Sequence, residues 1–189
     1  MNSYKIENIK TLSLNKDQFD FFNDKVFLLL LHVDKIPPHL AMLVGGKGYS
    51  LTIYGPKVNW ELSDIFRLVS VKKVKSMFFE LDIPDMRNWT WKELNELAAE
   101  HTLANSSVDS KKITCLYPLK QFCSDVYSVD CKSVNFIFDL IPKLYDTGAV
   151  KNVYQANVEL DTIEGGFYLP RYTMEDVLGH IEQQSIKMG

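Results

Sequence analysis

Cysteine is scarce in this chain, long apolar runs are missing, and neither sign of charge dominates. Three cysteines are an odd number that closes no disulfide framework, and none stands in a Cys-x-x-Cys pair. Free thiols in a reducing compartment are expected, and a structural zinc site has no support. The longest apolar run, Val26 to Leu31, is far too short to cross a bilayer. The opening MNSYKIENIK is polar and has no apolar stretch of signal-peptide type. A cytoplasmic chain with no membrane span is therefore expected. The formal net charge is only −3, so no basic surface is announced and nucleic acid is not an expected partner. The cluster Lys72, Lys73 and Lys75 has no aromatic residue interleaved and reads as a solvated helix end. There is no internal repeat and no low-complexity segment.

What is present suits a packed core. The 189 residues are 46% hydrophobic and 12% aromatic, enough for a single α+β domain spanning residues 1–189. Val26 to Val33 reads as a buried central strand that ends at Pro37-Pro38. His39 to Val44 and Tyr49 to Tyr54 read as the arms of a β-hairpin, with GGKG (45–48) as its turn. Gly55-Pro56 ends the hairpin, and Asn59 is expected to cap a helix with Leu62, Ile65, Phe66 and Val69 on one face. Ser76 to Ile83 is another strand.

Thr90 to Glu93 has the pattern of a capping box ahead of a helix carrying Leu94, Leu97 and Ala98. Asn105 to Ser110 reads as a polar loop and Lys111 to Thr114 as an extended lead-in. Leu116 to Tyr127 has helical spacing. A further helix through Val134, Ile137, Leu140, Ile141 and Leu144 is expected to bend or end near Pro142, with Gly148 at its C-cap. Val153 to Leu160 alternates weakly, as an edge strand would, and Thr173 to Asp176 opens a last helix. Strands lead and helices cluster later, which predicts an α+β fold: a mainly antiparallel sheet with a central hairpin, packed against several helices.

His39 is the first candidate for chemistry. It follows Pro38 and opens a strand, so it is held firmly at a sheet edge where a substrate can reach it, as a general base must be. By alternation it shares a face with Ala41 and Leu43. With Gly46-Lys47 as the tight turn, Tyr54 stands opposite and Thr52 one step away, and either can orient the imidazole. The competing reading is a histidine that merely caps or packs. A base of this kind needs a nucleophile, and a thiolate is favoured at a helix N-terminus. Cys115 fits, since it opens the helix LYPLKQF with Pro118 in the first turn. Cys131 also fits, with Asp130 opposing and Lys132 favouring its thiolate. Cys123 falls on an apolar helix face and reads as core. For all three, an inert buried thiol is the alternative.

Other polar residues offer less. His32 and Asp34 would share a strand face and, with His39, make a partial metal set, but no further histidine motif completes it. His101 and His180 are isolated on predicted helices. Glu80 interrupts the apolar SMFFELDI and reads as an exposed strand position, or else as a buried acid with a raised pKa. Gly45 to Gly48 resembles a phosphate loop by composition alone. No cofactor is expected.

The stretch PHLAMLVGGKGYSLTIYG, followed later by ITCLYPLKQF, resembles the histidine hairpin and helix-opening cysteine of circularly permuted papain-like cysteine hydrolases and acyltransferases. The resemblance covers roughly residues 26 to 55 and 111 to 127. It implies Cys115 as nucleophile, His39 as base and a polar residue on the next strand as orienter, for which Ser50, Thr52 and Tyr54 are present. The implied reaction is hydrolysis or transfer of an amide, ester or thioester acyl group, on a peptide, acyl or protein substrate. The second functional expectation is a non-catalytic cytosolic interaction domain, with Trp89 and Trp91 as a surface hot spot; their structural counterpart is a hydrophobic staple.

Overall fold

The computed structural model describes residues 3–12, 20–83, 89–108, 114–160 and 166–186, the side chains of 184–186 excepted. In chain order the elements are β1 (Ser3–Ile6), β2 (Ile9–Thr11), α1 (Asp20–Asn23), β3 (Val26–Leu31), β4 (His39–Val44), β5 (Lys47–Thr52) and β6 (Gly55–Glu61). There follow α2 (Leu62–Phe66), which runs on into a π-helical turn over Arg67–Val71, then β7 (Ser76–Leu81), α3 (Trp91–Leu103) and α4 (Leu116–Tyr127). The chain closes with α5 (Ile137–Asp146), β8 (Val150–Ala156), β9 (Phe167–Pro170) and α6 (Met174–Ile186).

Seven strands form one sheet in the order β2-β8-β7-β3-β4-β5-β6, and β1 pairs with β9 separately. Every pairing is antiparallel except β2 with β8. This is an α+β fold with the hairpin β4–β5 inside the sheet.

The continuous apolar run of β3 has a simple cause: the sheet is covered on both faces, so no alternate position needs to be polar. Leu28 and Leu30 enter a first core shared with Leu94 of α3, Leu119 and Phe122 of α4 and Ile141 of α5. Phe27, Leu29 and Leu31 enter a second core on the opposite face, with Phe22, Ile65 and Phe66. Each such buried side chain contributes about 1.5–3 kcal/mol.

The hairpin turn sits one residue earlier than the sequence suggested. Its central residues are Gly45 (φ +52°) and Gly46 (φ +79°), and Lys47 already pairs with Val44. A two-residue turn whose twist matches the strands needs positive φ at both centres, which glycine tolerates and lysine resists. A Cβ on Gly46 would also come within 2.9 Å of Asn23 Oδ1.

Three other expectations change and one is narrowed. Asn59 caps no helix: it lies at φ +52° within β6, where Trp60 is drawn into the second core, and the helix starts at Leu62. Of the two outcomes expected at Pro142, a bend or an end, α5 does not end there. It starts at Ile137 because the Asp139 carboxylate accepts from the Phe136 and Asn135 N–H groups (3.0 and 3.2 Å). Cys131 therefore opens no helix; it precedes α5 in a turn and is buried. The expected edge strand is β8, one strand in from the edge, because the short β2 adds outside it. The capping box at Thr90–Glu93 forms as read, and Thr173 and Asp176 make the equivalent bonds at α6. Of the expected extended lead-in, residues 111–113 lie outside the described residues, as do residues 109–110 of the polar loop before it.

Candidate functional site

α4 begins at Cys115 for local reasons. Thr114 receives the first amides, its carbonyl from Tyr117 N (3.0 Å) and its Oγ1 from Leu116 N (3.3 Å). Pro118 falls in the first turn, where its missing N–H is no loss. The face carrying Leu116, Leu119, Phe122 and Cys123 is buried in the first core. A contact of 2.8 Å between His101 Nε2 and Asp125 Oδ2 ties α4 to α3. The helix start is thus fixed on the sheet, with Cys115 at its N-cap.

His39 opens β4 opposite Leu31 of β3. Its Nε2 lies 2.8 Å from Ser50 Oγ on β5, and Ser50 is fully buried. The β4–β5 ladder pairs Val44 with Lys47 and stops at Met42 with Tyr49. Beyond it, Leu40 uses its backbone differently. Its carbonyl accepts from Ser50 Oγ (3.4 Å), and its N–H donates to the Cys115 sulfur. Leu40 therefore bridges the surroundings of both candidate catalytic residues.

His39 and Cys115 line a common cleft of about 320 Å³ between the ends of β4 and β5, the start of α4 and one face of α6. Its walls include Leu31, Leu51, Trp60, Val177 and Ile181. A loop closes one side, because Val108 N donates to Thr52 O (3.0 Å) at the end of β5. Thr52 and Tyr54 also line the cleft, but neither holds the imidazole. Thr52 Oγ1 donates to Gly55 O (2.9 Å) and accepts from Tyr54 N (3.1 Å), so its hydroxyl is committed to its own turn. Tyr54 is 80% exposed at the mouth. Moving the hairpin turn back by one residue shifts the cross-strand partner by two positions, from Tyr54 to Thr52, and Ser50 reaches the ring from the diagonal position beyond it. Among the described residues no hydrogen bond joins His39 to Cys115.

The cleft suppresses charge. Burial lowers His39 to about 4, helped by His32 and Lys57 nearby. Burial pushes the Cys115 thiol up to about 11, although the N–H groups of Leu40 and of Cys115 itself pull the other way. His32, another lining residue, is also lowered, first by burial and then by Lys35. At neutral pH both imidazoles and the thiol are uncharged. Trp60 adds an uncommon feature: its buried indole N–H has no hydrogen-bond partner among the described residues. Leaving such a donor unpaired costs about 1–3 kcal/mol.

Sequence reasoning missed His180, which α6 brings to the cleft, and the wall residue Trp60. No spacing signal pointed to either. His32 stands at φ +58° just beyond β3 and Asp34 is exposed in the turn after it, so the two do not share a strand face. No group of metal-binding side chains occurs among the described residues. Gly45 to Gly48 make the hairpin turn and the start of β5, as expected for a turn. Cys123 and Cys131 are buried, and burial raises both thiols. Trp89 and Trp91 are half-buried against the first core, which suits a packing role.

Glu80 corrects its expected exposure. It is 3% exposed, and its carboxylate lies 3.1 Å from Lys25 Nζ, 2.8 Å from Asn152 Nδ2 and 3.0 Å from the Tyr154 hydroxyl. Burial alone would raise its pKa, but those donors outweigh it and hold the carboxyl below its ordinary value.

No family model, curated protein or solved structure matches the chain. Among the described residues no helix is long and apolar enough to cross a membrane.

Proposed function

We propose that the cleft carries out thiol-dependent acyl chemistry, with Cys115 as nucleophile and His39 as base. This is the reaction implied by the resemblance to circularly permuted papain-like enzymes. One observation carries the reading: two residues distant in sequence, one opening a strand and the other a helix, line a common cleft, with Ser50 on the imidazole and a backbone N–H on the sulfur.

The hydrogen-bond network suits the role. With the Ser50 hydroxyl donating to Leu40 O, its oxygen accepts from His39 Nε2–H, which leaves Nδ1 bare as the proton acceptor. Attack forms the S–C bond as the thiol proton passes to Nδ1, and the carbonyl electron pair moves onto oxygen. The N–H groups of Leu40 and Cys115, which favour charge on the sulfur, are the backbone donors assigned to that developing charge. Collapse expels the alcohol, thiol or amine with the proton from His39, and water repeats the sequence to free the acid.

The pKa values make this a concerted step. Moving a proton from a thiol near 11 to an imidazole near 4 costs on the order of 10 kcal/mol before any carbonyl is present. A resting thiolate–imidazolium pair is therefore not populated, and alkylation of Cys115 at pH 7 should be slow. The deciding experiment is turnover of a panel of ester and thioester substrates, with intact-mass detection of an acyl adduct. The expected result is an adduct on Cys115 and a loss of at least about 10³-fold in Cys115→Ala and His39→Gln. Undiminished turnover in Cys115→Ala would overturn the assignment.

The same neutral pair also favours a second reading, a cleft that binds a ligand without transforming it. The interaction-domain reading based on Trp89 and Trp91 has less support, because both side chains pack against the first core.

A further inference from the structure

We propose that the cleft binds a single-chain acyl compound with an anionic end, its chain lying against the apolar walls and its charge held near Lys35. The inference deepens the proposed function by naming the substrate class, and its binding arm can be read without any catalysis.

Three independent observations lead to it. The first is composition: Leu31, Leu51, Trp60, Val177 and Ile181 meet in the cleft, and no carboxylate lines it among the described residues. Such a surface offers a hydrocarbon chain the apolar contact that drives ligand burial, and it offers a cationic ligand no partner. The second is size. At about 320 Å³ the cleft is near the lower end of small-molecule sites, which suits one chain better than two.

The third is the placement of the polar groups. Lys35 lines the cleft. Lys57 has its Nζ 3.7 Å from the Trp60 ring centroid and is felt electrostatically at His39. Trp60 itself lines the cleft, and because its indole nitrogen is buried, the ring offers a ligand apolar contact. Lys35 is the lysine in the lining and no described carboxylate stands there with it, so an anion is the complementary ligand; Lys57 lies outside the lining and has Asp64 near it. The exposed Ile36 and Tyr54 stand near this mouth and extend the apolar surface outward.

The probe is decanoate, compared with decylamine, decanol and butyrate. Binding to full-length Cys115→Ala is followed by titration calorimetry, so no covalent step intervenes. Decanoate is expected to bind at least ten-fold tighter than decylamine and butyrate, and Lys35→Glu to weaken decanoate about ten-fold while sparing decanol. In the native protein, decanoate is expected to slow alkylation of Cys115, which places the ligand in this cleft. Lys35 is on the surface, so that variant should fold; Ile181→Asp is the harsher control from the apolar wall. Equal binding of decylamine and decanoate, or no protection of Cys115, would overturn the proposal. If decanoate binds and protects but no acyl substrate is turned over, the substrate class stands and the catalytic reading fails. If acetyl and decanoyl esters are turned over equally and decanoate does not bind, the catalytic reading stands and this inference fails.

Discussion

Two buried polar sites lie on one face of the sheet, at opposite ends of its strands, and they handle charge in opposite ways. Glu80 pairs across to Phe27 near the Val26 end, and His39 pairs across to Leu31 at the other. Glu80 keeps its charge because Lys25, Asn152 and Tyr154 converge on its two oxygens from neighbouring elements. His39 loses its charge because burial disfavours the imidazolium and His32 and Lys57 add to that, while its side-chain partner among the described residues is a neutral hydroxyl. The first site is saturated: every strong donor present is already in use, and it has no spare capacity for a ligand. The second leaves a ring nitrogen and a thiol with capacity to spare beside an open cleft. Satisfied polar groups hold a fold together, whereas groups left under-satisfied next to space are where a ligand gains most.

The largest stability effect should therefore come from the saturated end. Removing one partner of a buried ion pair costs about 3–5 kcal/mol, and less here because Lys25 remains 28% exposed and can hydrate. Glu80→Ala is expected to lower unfolding free energy by about 3 kcal/mol in urea titration, with the m-value unchanged. The sign with pH follows from the lowered carboxyl. Its contribution is complete above the ordinary value of 4.5 and is lost as pH falls through the lower folded value. A Glu80→Gln protein should lack that acid-side loss. A cost below about 0.5 kcal/mol for Glu80→Ala would remove the contrast between the two ends.

The second effect belongs to the uncharged end and has a different pH window. His39 is lowered from 6.5 to about 4, so the folded state excludes a proton that the unfolded chain accepts. Stability should be full above pH 6.5 and decline as pH falls toward 4, by about 2–3 kcal/mol in all. The test is the urea midpoint of native protein and His39→Gln across that range. The two curves should converge toward pH 4 relative to their separation at pH 7, and parallel curves would mean that the ring is solvated and titrates normally.

The same contrast explains what the sequence disclosed. Periodicity placed β3, the hairpin and α4, because each has an apolar pattern that only one packing satisfies. Cys115 was legible for this reason: a helix start with proline in its first turn is a local signal. The hydrogen-bond partner of His39 needed the register, and the register depended on which two residues make the turn. Placing the turn on Gly45-Gly46, the only adjacent glycine pair in GGKG, would have put Thr52 opposite His39 and Ser50 on the neighbouring diagonal from sequence alone. Glu80 was misread because its partners come from the segment before β3 and from β8, a long-range convergence that no local pattern encodes. Asn59 failed as a cap for a related reason, since the burial of Trp60 beside it prolongs β6 past a good capping residue. His180 reaches the cleft only through the docking of α6, which the spacing within that helix does not describe.

The smallest expected effect on stability is the most informative about the site. Ser50→Ala removes one hydroxyl from a fully buried position and creates little space, so a cost of about 1–2 kcal/mol is expected from the unpaired Nε2 of His39 and the lost bond to Leu40 O. A purely structural serine would show that cost and nothing more. A serine that sets the imidazole tautomer would also change the ring, because Nε2 would no longer have an acceptor and the proton could settle on either nitrogen. The measurement is the ¹⁵N chemical shift of the His39 ring nitrogens, read beside the unfolding free energy. In the native protein the proton should reside on Nε2, leaving Nδ1 as the acceptor that Cys115 chemistry requires. In Ser50→Ala the two shifts should move toward a tautomeric mixture, and acyl turnover should fall about 10-fold or more while Cys115 stays in place. Unchanged ring shifts alongside a simple loss of stability would make Ser50 a packing residue and leave His39 held by its surroundings alone.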